Sequence, residues 1–122
     1  MGMMRIPFRE MEQVFIRILL ENNFSDGKAA ECARIFAENS LDGIYSHGIN
    51  RFPRFIEYIK RGIIKPEAEP ELISSVGAIE QWNGKLGPGP LNARSCTKRA
   101  MQLAEKHGLG CVAIAETNHW MR

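Results

Sequence analysis

The sequence predicts an α/β fold, α+β locally, in which an amino-terminal three-helix unit is followed by a hairpin, a fourth helix and a buried strand. Three observations predict it. Apolar residues recur at helical spacing through residues 7–62. Short apolar pieces separated by glycine follow the prolines of residues 66–70. The apolar run CVAIA at residues 111–115 lacks alternation, which is typical of a strand covered on both faces. We therefore divide the chain into a helical unit, residues 1–65, and the start of an α/β portion, residues 66–122.

Three amphipathic helices are predicted in the helical unit. The first occupies residues 7–22, and the second is capped by Ser25 or Asp26 and stopped by Gly43. The third occupies residues 50–62, with a proline in its first turn and a glycine at its end. Small apolar residues on the buried side of the second helix predict close packing: Ala29, Cys32, Ala33, Phe36 and Ala37.

The second half of the chain alternates short strands with a helix. A hairpin is predicted at residues 72–82, hinged at the glycine near its centre. Residues 84–90, GKLGPGP, are predicted to form a loop, and they match neither the GxxxxGK[ST] nor the GxGxxG phosphate-binding pattern. A fourth helix is predicted at residues 91–107, and the strand at 111–115 follows it.

Composition excludes several classes of function. Sixteen basic and fourteen acidic side chains are interspersed and leave a formal net charge of +2, so a nucleic-acid partner is not indicated. Three widely spaced cysteines without a CxxC pair indicate neither a disulfide framework nor a zinc site, and they favour a reducing, cytoplasmic setting. No run approaches the roughly 20 apolar residues of a membrane span.

The most distinctive polar segment is the Ser46-His47-Gly48 turn between two predicted helices. A partly exposed imidazole on such a turn is suited to passing protons, because histidine is the residue type whose unperturbed pKa, about 6.5, lies close to neutral pH. Arg51 lies about one helical turn further on and can hold a carboxylate in a two-point fork. A structural interpretation stays open: Ser46 caps the third helix, His47 bonds to a backbone carbonyl, and Arg51 pairs with a surface glutamate.

His119, beside Asn118, is the second candidate because it directly follows the predicted strand, where α/β folds usually keep their chemistry. The alternative is a histidine hydrogen-bonded within a loop. His107 ends a helix, where a partly cationic ring offsets the helix dipole. A hydrolase using Ser46 with His47 is disfavoured, because adjacent side chains on a turn are expected to point apart. No metal-ligand spacing is present, so no metal is predicted.

Three strings in this order, YSHGINRFPRF, GAIEQWNG and NHWMR, resemble the malate/L-lactate dehydrogenase-like family of NAD(P)-dependent oxidoreductases. The resemblance extends over almost the whole chain. It implies an incomplete, non-Rossmann dehydrogenase fold, a homodimer, and reduction of the carbonyl of a small 2-oxo acid similar to 2,3-diketo-L-gulonate. The hydride donor that it implies is NADH, with NADPH not excluded.

The resemblance also implies roles for individual residues. His47 would protonate the substrate carbonyl oxygen, Arg51 would hold the substrate carboxylate, and Ser46 would orient the bound oxo acid. His119 and Asn118 would line the same pocket, and His119 could replace His47 as the acid. Which histidine donates the proton stays open, and so do the cofactor-binding residues.

Family members are more than twice as long, so we expect this chain to be an amino-terminal portion of such an enzyme. The isolated 122 residues are then expected to be much less active than a complete relative, because catalysis depends on interactions that form together. The alternative from another functional class is a non-catalytic helical dimerisation or interaction module derived from the same family.

Overall fold

The computed structural model describes residues 2–122, which form a mixed α/β fold and confirm the predicted fold class. A one-turn 3-10 helix, Tyr45–His47, connects the second and third α-helices. The other elements are, in chain order, α1 (Phe8–Glu21), α2 (Asp26–Leu41), α3 (Phe52–Lys60), β1 (Glu71–Val76), β2 (Ile79–Gly87), α4 (Gly89–His107) and β3 (Cys111–Thr117).

Local signals account for the helix ends. The Ser25 side chain caps α2 by accepting a hydrogen bond from the Lys28 backbone N–H, as predicted for one of the two candidate caps. Helix α4 ends where Gly108 adopts a φ of +85°, a left-handed conformation that suits glycine. Helix α3 begins at Phe52, slightly later than predicted, so Arg51 is its N-cap residue and lies outside the helix proper.

Aromatic packing builds the core of the helical unit. Phe15 stacks on Phe52 with ring centroids 4.1 Å apart, and Phe36 contacts Phe52 edge-on at 5.2 Å. Phe55 lies 5.1 Å from the Phe36 ring. Each of these rings is buried, and burial of such a side chain contributes about 1.5–3 kcal/mol. The predicted packing side of α2 is confirmed, since all five of its residues are buried: Ala29, Cys32, Ala33, Phe36 and Ala37.

The sheet has three strands in the order β1-β2-β3. Strands β1 and β2 form the predicted antiparallel hairpin, whereas β2 and β3 are parallel and are joined by α4 as the crossover. The prediction of a loop over residues 84–90 is wrong. Strand β2 continues to Gly87, which pairs with Thr117 after a bulge in which Lys85 and Leu86 take φ values of +55° and +61°.

The prediction that the strand after α4 is buried on both faces is also wrong for the described chain. The side chains of β3 are exposed or half-exposed along its whole length. The strand lies at the edge of the sheet and pairs only with β2, and its packing contacts are with α4. A continuous apolar run indicated two covered faces, but a three-stranded sheet with β3 at its edge does not supply them.

Several contacts join the helical and sheet-containing halves. The Lys65 N–H donates to the Leu86 carbonyl at 2.8 Å, and Lys28 Nζ donates to the Pro66 and Ala68 carbonyls at 3.1 and 3.0 Å. Met121, which follows β3, is buried in the aromatic core of the helical unit. The division of the chain at residue 65 stays a prediction.

Within residues 2–122, no helix combines the length and apolar character that crossing a bilayer requires.

Candidate functional site

The Ser-His-Gly turn is a compact polar structure between α2 and α3. The Gly48 and Asn50 N–H groups donate to the Tyr45 carbonyl at 3.1 and 3.0 Å, which closes the turn. Ser46 Oγ and His47 Nδ1 share a hydrogen bond of 2.9 Å. The expectation that these adjacent side chains point apart is therefore wrong, because the 3-10 conformation brings them to the same side. His47 is half-buried, as predicted.

The ring of His119 lies beside that of His47. The ring centroids are 5.4 Å apart and the ring planes are inclined by 47°. His119 also stacks against Trp120, with centroids 6.3 Å apart. The Met121 backbone N–H donates to His119 Nδ1 at 2.9 Å. In the neutral ring, Nδ1 is thus an acceptor and Nε2 carries the proton.

The positive charge of Arg51 acts on His119. The pKa of His119 is lowered from its ordinary value because desolvation, the positive charge of Arg51 and the His47 ring all disfavour the protonated form. Arg51 is half-buried at the start of α3. Two imidazoles therefore lie side by side where the turn faces the segment after β3, and the charge of the nearby Arg51 acts on one of them.

Two features hold the segment after β3 against the turn. Met121 is buried in the helical core, with 5% of its surface exposed, and Arg122 forms a salt bridge of 3.0 Å with Asp42 at the end of α2. Gly89, the first residue of α4, lies against the backbone of this segment. A Cβ there would lie 2.6 Å from the His119 carbonyl carbon, so only glycine permits this approach.

The structure thus brings together three of the predicted site residues, Ser46, His47 and His119, and it places Arg51 at the start of α3, where its charge acts on His119. Asn118 adjoins them and is half-buried, and its carbonyl accepts a hydrogen bond of 3.5 Å from the Thr117 hydroxyl. A substrate-binding role for the Asn118 amide stays a prediction. His107 lies at the opposite end of α4 from Gly89, so the fold keeps it away from the site.

A broad groove lies next to the site but does not contain it. This groove, of about 1170 Å³, runs between α2, α4 and β3, and Trp120 and Arg122 line one end. His47, Arg51 and His119 are outside its lining. In the part of the chain that the structure describes, no group of three histidine, cysteine or acidic side chains is arranged to hold a metal ion.

Two residues that support the turn were missed by sequence reasoning. Asn39 and Ser40, near the end of α2, are buried and hydrogen-bond to the turn backbone. A signal for them exists, because both continue the buried stripe that includes Phe36 and Ala37. Polar residues at such positions need hydrogen-bond partners, which predicts that they contact the neighbouring chain segment.

The site can be compared with known proteins. The 2,3-diketo-L-gulonate reductases of Salmonella paratyphi B and Mannheimia succiniciproducens are 46% and 47% identical to this chain over 119 residues. In each case the match covers 98% of this chain and 36% of the relative, so the chain spans about a third of the length of these proteins.

Solved structures share the fold. Malate dehydrogenase from Pyrococcus horikoshii OT3 superposes with a TM-score of 0.92 at 23% identity, over 97% of this chain and 34% of that one. Sulfolactate dehydrogenase from Methanocaldococcus jannaschii gives a TM-score of 0.92 at 28% identity with the same coverage. The malate/L-lactate dehydrogenase family profile matches residues 6–122. This chain therefore belongs to the malate/L-lactate dehydrogenase family.

Proposed function

We propose that this chain supplies the substrate-facing part of an oxidoreductase that reduces the carbonyl of a small 2-oxo acid, similar to 2,3-diketo-L-gulonate, with hydride from NADH. The observation that carries the proposal is the pairing of the His47 and His119 rings, with centroids 5.4 Å apart, together with the positive charge of Arg51 that acts on His119. Membership of a dehydrogenase family supports the reaction class, and the similarity to 2,3-diketo-L-gulonate reductases of Salmonella and Mannheimia supports the substrate.

Arg51 is proposed to bind the substrate carboxylate. A guanidinium matches the two oxygens of a carboxylate and stays charged at all physiological pH values. The positive charge that lowers the pKa of His119 would then be neutralised by the substrate anion. Holding the carboxylate at Arg51 would place the adjacent carbonyl oxygen within reach of the imidazole pair.

His47 is proposed to donate the proton, with His119 as a neutral hydrogen-bond donor. His119 Nδ1 accepts from the Met121 N–H, and protonation at Nδ1 would break that bond. Its lowered pKa agrees with a ring that stays neutral and donates only from Nε2. His47 has its Nδ1 paired with Ser46 Oγ, which orients the ring and leaves Nε2 to deliver a proton to the substrate oxygen.

NADH, when bound, supplies the hydride that the carbonyl carbon accepts. The described residues fit a nicotinamide in one respect: the exposed Trp120 indole, stacked on His119, offers a flat apolar surface beside the proposed acid. We propose that Trp120 and His119 line the nicotinamide side of the site. Residues that bind the phosphates are not assigned.

We further propose that the enzyme is a homodimer of a reducing, cytoplasmic compartment. The three cysteines are free thiols, which supports the compartment. The site is open on this chain, because His119 and Trp120 are exposed. A second copy, or a segment equivalent to the remaining length of the relatives, would supply the missing wall.

Oxamate, an unreactive analogue of a 2-oxo acid, tests the proposal on the 122-residue chain. We expect a titration followed by NMR to shift the Arg51 side-chain signal and the ring signals of His47 and His119 together. Arg51→Met should abolish these shifts. Arg54→Met is the matched control, because Arg54 is an exposed arginine on the next part of α3 and should leave binding unchanged. Equal binding by both variants would contradict the proposal.

A turnover assay tests the expected dependence on the rest of the enzyme. The 122-residue chain, given 2,3-diketo-L-gulonate and NADH, should oxidise NADH far more slowly than the complete Mannheimia succiniciproducens relative. Comparable rates would show that residues 1–122 hold the whole catalytic apparatus. In that case the proposal that a further wall completes the site would be abandoned.

A second candidate function is a non-catalytic dimerisation or interaction module. The exposed apolar side chains of β1 and the start of β2 favour it: Leu72, Ile73, Val76 and Ile79. Light scattering and the oxamate titration separate the two candidates. A chain that self-associates and does not bind oxamate is an interaction module, whereas Arg51-dependent oxamate binding supports the reductase.

A further inference from the structure

Two polar side chains lie within the otherwise apolar packing surface of α2. Asn39 and Ser40 are 6% and 7% exposed, on the same stripe as the fully buried Phe36. Burying an amide or a hydroxyl costs free energy unless its hydrogen bonds are formed. Each residue forms a side-chain hydrogen bond with the backbone of the turn that carries His47.

Asn39 contacts His47 directly through the backbone. Its side-chain Nδ2 donates to the His47 carbonyl at 3.0 Å, and its backbone carbonyl accepts the Ile44 N–H at 2.9 Å. Asn39 thereby contacts the residue before the 3-10 turn and the last residue of it. The amide therefore determines where the His47 peptide lies relative to α2.

Ser40 holds the other side of the turn. Its hydroxyl donates to the Phe36 carbonyl at 2.9 Å and accepts the Ile49 N–H at 2.9 Å. Donating back to the helix fixes the hydroxyl rotamer, so the oxygen lone pair points at Ile49. Asn39 and Ser40 thus hydrogen-bond to the backbone of His47 and of Ile49, the two residues on either side of Gly48.

Gly48 lies between these two contacts and is buried against Ser40. A Cβ on Gly48 would lie 2.7 Å from the Ser40 backbone nitrogen and 3.0 Å from the Phe36 carbonyl oxygen. A side chain here would push the turn away from α2. The glycine of the Ser-His-Gly turn therefore permits the close approach on which the two hydrogen bonds depend.

We propose that Asn39 and Ser40 are positioning residues, which set the position and ring orientation of His47 without touching substrate. The consequence for catalysis rests on the proposed function of His47, but the geometric claim does not. If these residues only satisfied hydrogen bonds inside the protein, replacing them would lower stability and leave the two imidazoles in their present arrangement.

The first test replaces Asn39 in the 122-residue chain. Asn39→Asp keeps the size of the side chain but removes the amide donor and places an acceptor against the His47 carbonyl. We expect the nuclear Overhauser contacts between the His47 and His119 rings to weaken at least about twofold, both in this variant and in Asn39→Ala. The ¹⁵N signals of the His47 ring should also shift, because its contact with Ser46 changes. Ile59→Val, a buried change near the far end of α3, serves as the stability control and should leave these signals unchanged.

The second test follows the Ile49 amide. Ser40→Ala removes the acceptor of this N–H, and we expect its hydrogen exchange to accelerate about tenfold, the equivalent of a bond of about 1.4 kcal/mol. Amides in the middle of α1 should exchange as before. This variant keeps a small side chain, so it preserves a readout if the Asn39 variants fold poorly.

The outcomes separate this proposal from the proposed function. Unchanged contacts between the His47 and His119 rings in the Asn39 variants and in Ser40→Ala overturn the positioning role, whatever the chain binds and whether or not the Ile49 amide exchanges faster. Altered ring contacts in a chain that never binds oxamate support the positioning role and count against the reductase. Altered contacts with weakened oxamate binding support both.

Discussion

The helical unit and the sheet bury their surfaces to very different extents. In the helical unit, Phe15, Phe36, Phe52 and Phe55 are at most 5% exposed and pack on one another. In the sheet, every residue of β1 is exposed and β3 is at best half-covered. The helices therefore form a closed core of their own, whereas the sheet has apolar surface left to cover.

The candidate site lies where these two unequal parts meet. His47 and Arg51 come from the closed helical unit, and His119 comes from the segment that follows the open sheet. Met121 connects them because its side chain belongs to the helical core. The well-buried helical unit thus supplies the proposed acid and carboxylate anchor, and the less covered part supplies the second histidine.

Phe36→Ala should have the largest effect on this comparison. Removing a fully buried ring from the centre of the core should lower the free energy of unfolding by about 3–5 kcal/mol, measured by urea denaturation. The control is Ile73→Ala on β1, where the side chain is 60% exposed and a change within about 0.5 kcal/mol is expected. Similar losses of unfolding free energy for the two variants would show that the helical unit and the sheet are buried to a similar extent in solution.

Met121→Ala should separate His119 from the helical unit. We expect a loss of about 2 kcal/mol in unfolding free energy, at the low end for buried methionine because the residue lies near the chain end. The pKa of His119 should rise toward 6.5, since desolvation and the charge of Arg51 that lower it would be relieved. Met101→Ala, at a 62% exposed position on α4, is the control, and NMR titration of the ring is the measurement.

Glu80→Gln tests how the sheet is held to α4. Hydrogen bonds from Arg99, assisted by Trp82, hold the pKa of buried Glu80 down to about 2 against the opposing effect of desolvation. A carboxylate whose pKa is lower in the folded state stabilises the fold above its unfolded pKa, near 4.5, and this stability is lost as pH falls toward 2.

Wild-type unfolding free energy should therefore decline between about pH 4.5 and 2, and Glu80→Gln should flatten that part of the profile. Glu105→Gln, at an exposed position on α4, is the control. An identical acid profile for wild type and Glu80→Gln would count against a structural role for the Arg99 contact.

Arg122→Ala should have the smallest effect. The salt bridge with Asp42 is about half-exposed at both ends, and such pairs contribute about 0.2–1 kcal/mol. We expect a change near the lower limit, and one that shrinks further at high salt. If this variant disturbed His119 as much as Met121→Ala does, then charge rather than burial would hold the segment in place.

The sequence allowed the helical unit to be predicted well because its signals are local. The stripe from Ala29 to Ala37 and the Ser25 cap depend on residues only a few positions apart, and both are confirmed. The strands were predicted less well because their limits depend on partners. The pairing of Gly87 with Thr117, which extends β2 and β3, could not be inferred from a glycine-rich and proline-rich string.

The site was predictable in part. His119 was predicted to belong to the site because it follows a strand, and its ring does lie beside that of His47. Nothing in the sequence indicated how far apart the two rings are. The support from Asn39 and from Met121 was not foreseen. Each depends on tertiary contact between distant segments, which neither periodicity nor a motif records. The roles assigned to the site residues stay predictions.

The burial of Met121 also bears on how the molecule folds. The helical core can collapse early from nearby segments, but the two imidazoles meet only after the last residues of the chain return to it. Contacts of such large sequence separation carry the greatest loop-closure entropy and tend to form late. During refolding, the contact between the His47 and His119 rings should therefore form later than the helical circular dichroism signal. Partial unfolding of the native state should break this contact first.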